Sequence, residues 1–138
     1  MPNVVDLSLI GDKQVAKALS KLAVKEQNKA MTKGLKAGGR LVQQRAIANA
    51  PQDTGKLKSG IEVRMRTRKG LKKAEVRTKS REFFGIPADS NFYYPAIIEY
   101  GSTDRGIKPF AYMRKARESE ETRAIREVIN ALRRGLNL

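Results

Sequence analysis

Arg64, Arg66 and Arg68 occupy every second position of a run in which Ile61, Val63, Met65 and Thr67 fill the places between. A period of two belongs to an extended strand, and it sets the three guanidinium groups on one face about 6.7 Å apart. Beyond Gly70, Ala74, Val76 and Thr78 alternate in the same way with Lys73, Glu75, Arg77 and Lys79. The two runs predict a β-hairpin with one apolar and one cationic face. Cations in such a row can contact phosphates without reading bases, and nearby aromatics offer faces on which bases stack. Arg64, Arg66, Arg68, Lys73, Arg77 and Lys79 are therefore the candidate contacts with DNA or with an acidic partner. An exposed strand face is also commonly charged for solubility alone.

Other chemistry finds fewer carriers. The chain has no histidine and no cysteine, which removes the commonest general base, the thiolate nucleophile and the cysteine-type zinc site, and suits a reducing compartment. The carboxylates available for acid/base or metal-dependent work are Glu62, Glu75, Asp89, Glu99 and Asp104. Glu118, Glu120, Glu121 and Glu127 stand among Arg114, Arg117, Arg123 and Arg126, a pattern of ordinary helical ion pairing. Glu99 is the one acid inside an apolar aromatic run, and the expectation is a buried ion pair with an arginine of its own or a neighbouring chain. Gly34, Gly38 and Gly39 fall inside a helical pattern and do not form a phosphate loop. We expect no catalytic residue, no cofactor and no metal.

The elements that position these residues follow from periodicity. Met1 to Gly11 alternates loosely, through Val4, Val5, Leu7, Leu9 and Ile10, and predicts a short edge strand before an N-cap at Asp12. From Lys13 to Asn49 apolar residues recur at helical spacing until Pro51, with Gly34 and Gly38–Gly39 as the expected points of a bend or a break. Lysines at 13, 17, 21, 25, 29 and 33 drift about 40° per step around such a helix, which suits a solvated face better than a dedicated phosphate track. Pro51 to Gly55 is turn-rich. Phe92 to Tyr100 is apolar and β-rich, which predicts an aromatic strand entered through Pro95. All eight aromatics lie between Phe83 and Tyr112. An amphipathic helix is expected from Pro109 to Arg134. The sum is an α+β fold in which a long N-terminal helix and a C-terminal helix pack on a small antiparallel sheet containing the basic hairpin. We expect one domain over residues 1–138.

Composition agrees. The 29 Lys and Arg against 14 Asp and Glu give a formal charge of +15, which implies a polyanionic partner or neighbour. Residues 56–81 hold 11 of the cations and 2 of the acids, so the excess is concentrated at the hairpin. Met1 to Ile10 lacks the basic and apolar regions of a signal peptide, and no apolar run is long enough to span a membrane. The expectation is a soluble protein with no membrane partner.

Three stretches carry a family likeness. Ala50-Pro-Gln-Asp-Thr-Gly-Lys-Leu-Lys-Ser-Gly-Ile61 resembles the signature of the small tail-component family of long-tailed bacteriophages. Tyr94-Pro-Ala-Ile-Ile-Glu-Tyr-Gly-Ser102 and Lys108-Pro-Phe-Ala-Tyr-Met-Arg114 are similar to that family's second and third motifs. Ser102 stands where threonine is usual, and Ala111-Tyr-Met replaces a plain leucine after Pro-Phe. The resemblance implies a structural virion protein for tail completion or head-to-tail joining. It further implies assembly in the host cytoplasm as a ring, expected to be a hexamer, around the DNA channel at the neck or head-proximal end of the tail. Its neighbours would be head-joining and tail-tube or terminator proteins, with transient non-specific contact to viral DNA.

The motif residues make physical sense as scaffold and interface. Asp53, Thr54 and Gly55 turn the chain from helix to hairpin. Tyr94, Glu99 and Gly101 hold the aromatic strand and its exit, while Pro109 starts the last helix and Phe110 anchors it by burying a ring. The competing reading is a stand-alone basic nucleic-acid-binding module, separable by the salt dependence of DNA affinity.

Overall fold

The hairpin forms where alternation places it. In the computed structural model, which describes residues 4–5, 13–52, 55–69 and 71–138, β2 (Ile61–Arg68) pairs antiparallel with β3 (Leu71–Thr78) from Ile61↔Thr78 to Arg68↔Leu71. Lys69 takes a left-handed conformation in the tight connection, with φ 52°. The strand β1 (Val4–Val5) adds to the far side of β3, so the three-stranded order is β1-β3-β2. This is the described part of the expected N-terminal strand. Asp12, Asp53, Thr54 and Gly70, all given roles above, lie outside the described residues.

The helices are α1 (Lys13–Ser20), α2 (Val24–Asn49), the single turn α3 (Lys56–Ser59), α4 (Tyr94–Tyr100) and α5 (Tyr112–Gly135). The architecture is α+β, as expected. Its centre is α2, which packs antiparallel to α5 and lays another side on the sheet. On α5, Tyr112, Ala116, Glu120, Ala124, Val128 and Leu132 recur every four residues, and all are buried. On α2 the buried positions include Gly34, Gly38, Val42 and Ala46 at the same spacing. A Cβ on Gly38 would stand 2.4 Å from Val128 Cγ2 and 2.8 Å from the Ala124 carbonyl oxygen. Two helices approach this closely only where one lacks side chains. Gly39 does the same for the sheet, where a Cβ would meet Val63 at 2.9 Å. Fully burying side chains such as Leu35, Val76 and Leu132 contributes about 1.5–3 kcal/mol each.

Three elements differ from the sequence reading. The long helix is not interrupted at its glycines; it breaks at residues 21–23, where no glycine or proline stands. Lys21 N–H and Leu22 N–H tighten onto the Ala18 and Leu19 carbonyls, Ala23 is extended at ψ 151°, and the Gln27 side chain donates to the Leu22 carbonyl. The break lets Val15 and Leu19 join Leu35, Val128 and Leu132 in one cluster. The expected aromatic strand is instead the helix α4. Pro95 sits in its first turn, where a missing N–H costs nothing, and Gly101 ends it. The β-forming Tyr, Phe and Ile residues misled because tertiary packing overrides such propensity. Finally, α5 starts at Tyr112 and not Pro109, because Ala111 is left-handed at φ 53°.

Candidate functional site

The pleat of the hairpin sorts its residues. Ile61, Val63, Val76 and Ala74 turn toward α2 and the core, and Glu62, Arg64, Arg66 and Arg68 share the opposite face with Leu71, Lys73, Glu75 and Arg77. That outer face holds five cations and two carboxylates. Arg66 meets Glu75 at 3.4 Å, and Arg77 lies 3.8 Å from Glu62. No carboxylate of the described residues comes within ion-pair distance of Arg64, Arg68 or Lys73, and Arg66 lies directly across from Lys73. The register thus leaves positive charge uncompensated on an exposed surface. Arg64, Arg66, Arg68, Lys73 and Arg77 are brought together as the alternation implied.

Lys79 departs from this group. Its Nζ lies 4.6 Å from the centre of the Phe83 ring, which also carries Lys56 Nζ at 4.1 Å. The ring's negative face draws both ammonium groups to one place. Beside it the aromatics form a knot around Phe84, which meets Phe83, Tyr93 and Tyr94 edge to face at 5.0, 6.0 and 5.3 Å. Gly60 makes room, since a Cβ there would touch the Phe84 ring at 2.3 Å. The Tyr93 hydroxyl bridges Thr78 Oγ1 and the Lys79 carbonyl, while Arg81 lies over the Tyr93 ring and donates to the Ser90 carbonyl at 2.6 Å. Burial and the neighbouring Tyr93 raise the pKa of Tyr94.

The second and third sequence motifs meet at the start of α5. Glu99 is buried, and its carboxylate accepts the backbone amides of Met113 at 2.8 Å and Arg114 at 2.9 Å. Within the chain its partners are thus backbone amides and not an arginine side chain. Ala111, at the N-cap position, has no side-chain acceptor, so the acid of α4 supplies the capping charge to the positive end of the helix. Phe110 N–H and Ala111 N–H donate to the Ile98 and Glu99 carbonyls. Gly101, at φ 74°, presses onto the Ile107 carbonyl and Pro109, where a Cβ would stand 2.7 Å away. The Tyr112 hydroxyl donates to the Pro95 carbonyl at 2.8 Å. Glu99, Gly101 and Pro109 therefore tie α4 to α5, while Tyr94 packs on Phe84. Phe110 does not bury its ring: it is 45% exposed with Lys115 5.5 Å above it, and Tyr112 is the ring that anchors the helix. Gly55 is left-handed at φ 71° and leads into α3.

The sequence reading grouped Glu120 with the helical ion pairs of the last helix, and it does pair with Arg123, but its burial and its link to α2 were not foreseen. It lies on the buried face of α5, held by Arg45 of α2 at 3.0 Å and by Arg123 at 2.9 Å. The signal was present: Glu120 sits four residues from both Ala116 and Ala124, on the apolar stripe. Among the described residues no three His, Cys, Asp or Glu side chains are grouped as a metal site, and no helix is long and apolar enough to cross a membrane.

Comparison with known proteins adds a family. No curated protein and no solved structure matched the chain. A family model described as "Bacteriophage HK97-gp10, putative tail-component" matches residues 13–101, from the start of α1 to the glycine that ends α4. This span covers more than half of the sequence and includes the hairpin, Gly55, Tyr94, Glu99 and Gly101. The chain therefore belongs to the HK97-gp10-like family of bacteriophage tail components.

Proposed function

We propose that this tail component is a structural, non-catalytic subunit for tail completion or head-to-tail joining, assembled as a ring around the DNA channel. The observation that carries the reading is the outer face of the hairpin, where Arg64, Arg68 and Lys73 stand without a carboxylate partner among the described residues. In a ring, hexameric by our reading, such faces repeat and their charge accumulates. A rigid two-stranded ribbon of cations toward the lumen would hold passing DNA through its phosphates, without sequence readout. Rings need head-to-tail interfaces that join two different patches. Phe92, Tyr100, Ile107 and Phe110 supply exposed apolar surface for one such patch. The place we assign is the neck or head-proximal end of the tail, between head-joining and tail-tube or terminator proteins.

Electron cryomicroscopy of virions tests this directly. Density for the chain is expected as a closed ring at the neck or upper tail, and its absence there overturns the reading. In phage carrying Arg64→Ser, Arg66→Ser and Arg68→Ser together, assembly or DNA retention is expected to change while the subunit stays folded. Unaltered particles would count against a lumen-facing hairpin. Tight binding of duplex DNA by the isolated chain, with a steep salt slope, would favour the stand-alone nucleic-acid-binding module instead.

A further inference from the structure

Away from the hairpin, an open groove of about 650 Å³ lies where α1, the start of α2 and the residues after α5 meet. Its floor is apolar, with Ala18, Leu22, Ala30 and Leu136. Lys17 and Lys21 line it from the α1 side, and Lys29 and Lys33 from α2. No carboxylate of the described residues lies within ion-pair distance of these four lysines. Residues 13–33 hold six lysines and one glutamate, Glu26, which also lines the groove, so four cations face one acid there. On one continuous helix those lysines would wind around the solvent side. The break at residues 21–23 folds the spiral back, so that two helical pieces border one apolar trough with ammonium groups.

We propose that this groove docks an acidic amphipathic segment of another protein, with an apolar ridge seated on Leu22 and Ala30 and carboxylates facing the lysines. The four lysines on the rim favour an acidic occupant, and a second copy seated in this groove is an outcome of the test. The floor decides against DNA, whose phosphate edges offer no apolar ridge. The concave shape decides against a bilayer, which meets convex apolar surfaces. The α2 side accommodates about two helical turns, in the manner of a helix laid in a groove. This inference is independent of what the hairpin faces, so its failure would leave the ring reading standing.

The test uses the full chain and a fluorescent peptide of about 14 residues, roughly four helical turns, with leucines on one face and glutamates flanking them. A permuted peptide of the same composition is the control. Saturable binding is expected for the first, about tenfold tighter than for the second, since only the first presents a ridge. Joint replacement Lys17→Glu, Lys21→Glu, Lys29→Glu and Lys33→Glu alters exposed side chains only, so the circular dichroism melt should persist while affinity falls about tenfold or more. Amide chemical shifts should move at Leu22, Ala30 and Leu136. Equal binding of the permuted peptide, undiminished affinity of the lysine variant, or shifts confined to the hairpin would each overturn the proposal. So would displacement of the peptide by duplex DNA or by phosphatidylglycerol vesicles with shifts at the same residues, or self-association through them.

Discussion

The Glu99 carboxylate on α4 accepts the Met113 amide of α5 at 2.8 Å, so the start of the last helix is capped by an acid from a different element. Because the Arg114 amide is held as well, both carboxylate oxygens are engaged. Glu99→Gln removes the charge at the helix N-terminus and should cost about 1–2 kcal/mol. Glu99→Ala leaves both amides without the acceptor and should cost about 2–4 kcal/mol. Urea unfolding at neutral pH measures both. An alanine variant as stable as the parent would refute the capping role.

At the same junction, Tyr112 predicts alkaline sensitivity. Burial first, then the charge of Glu99, then the neighbouring tyrosines Tyr93, Tyr100 and Tyr94 hold its pKa well above the ordinary 10.0. The folded state keeps the proton where the unfolded state releases it. The stabilising contribution is therefore complete below pH 10.0 and is lost as pH rises beyond it. Tyr112→Phe should cost about 1 kcal/mol at neutral pH through the lost hydrogen bond to Pro95. It should also flatten the decline above pH 10.0, which denaturant midpoints on either side of that pH would reveal.

Helix contact at Gly38 gives a steric prediction. Gly38→Ala brings a methyl against Val128 and the Ala124 carbonyl, and the fixed backbone atom cannot rotate away. A loss of about 1–3 kcal/mol is expected. Gly135→Ala meets nothing within 4 Å and should be neutral or stabilising by up to about 1 kcal/mol. Thermal melts of the pair separate close packing from intrinsic helix propensity; equal effects would argue against the contact.

Glu120 tests how a buried acid is tolerated. Its side chain is 4% exposed, while its partners Arg45 and Arg123 are 49% and 65% exposed. Removing both arginines as Arg45→Met and Arg123→Met strands a buried carboxylate and should cost about 2–4 kcal/mol. Glu120→Leu removes the charge along with the need for partners and should cost less than that double variant. The reverse order of stabilities, read by chemical denaturation, would show that the ion pairs themselves stabilise the fold.

Much of the fold follows from local pattern. The alternation from Ile61 to Thr78 specifies the hairpin because a one-residue slip would bury Arg64 and Arg66 in place of Val63 and Met65. Apolar residues at helical spacing specify α5 and most of α2, and Gly135 and Pro51 mark their ends. The clustering of cations on the outer face was equally legible, since it needs only the pleat. Lys79 was assigned to that face on alternation alone, and the Phe83 ring four residues on draws its ammonium group elsewhere.

What depended on the tertiary structure is which faces meet. Tyr94 to Tyr100 has the composition of a strand, and it is a helix because Pro95 opens its first turn and Glu99 must reach the amides of α5. No residue at 21–23 announces a break; it forms because Val15, Leu19 and Leu35 find a common place against Val128 and Leu132. Periodicity is a property of neighbours along the chain, so the sequence by itself determined the hairpin, its charge and the two long helical patterns. The partners of Glu99 and Glu120, and the folding of a lysine spiral into a groove, join residues far apart in sequence. Only packing, in which each buried group must find its complement, decided those.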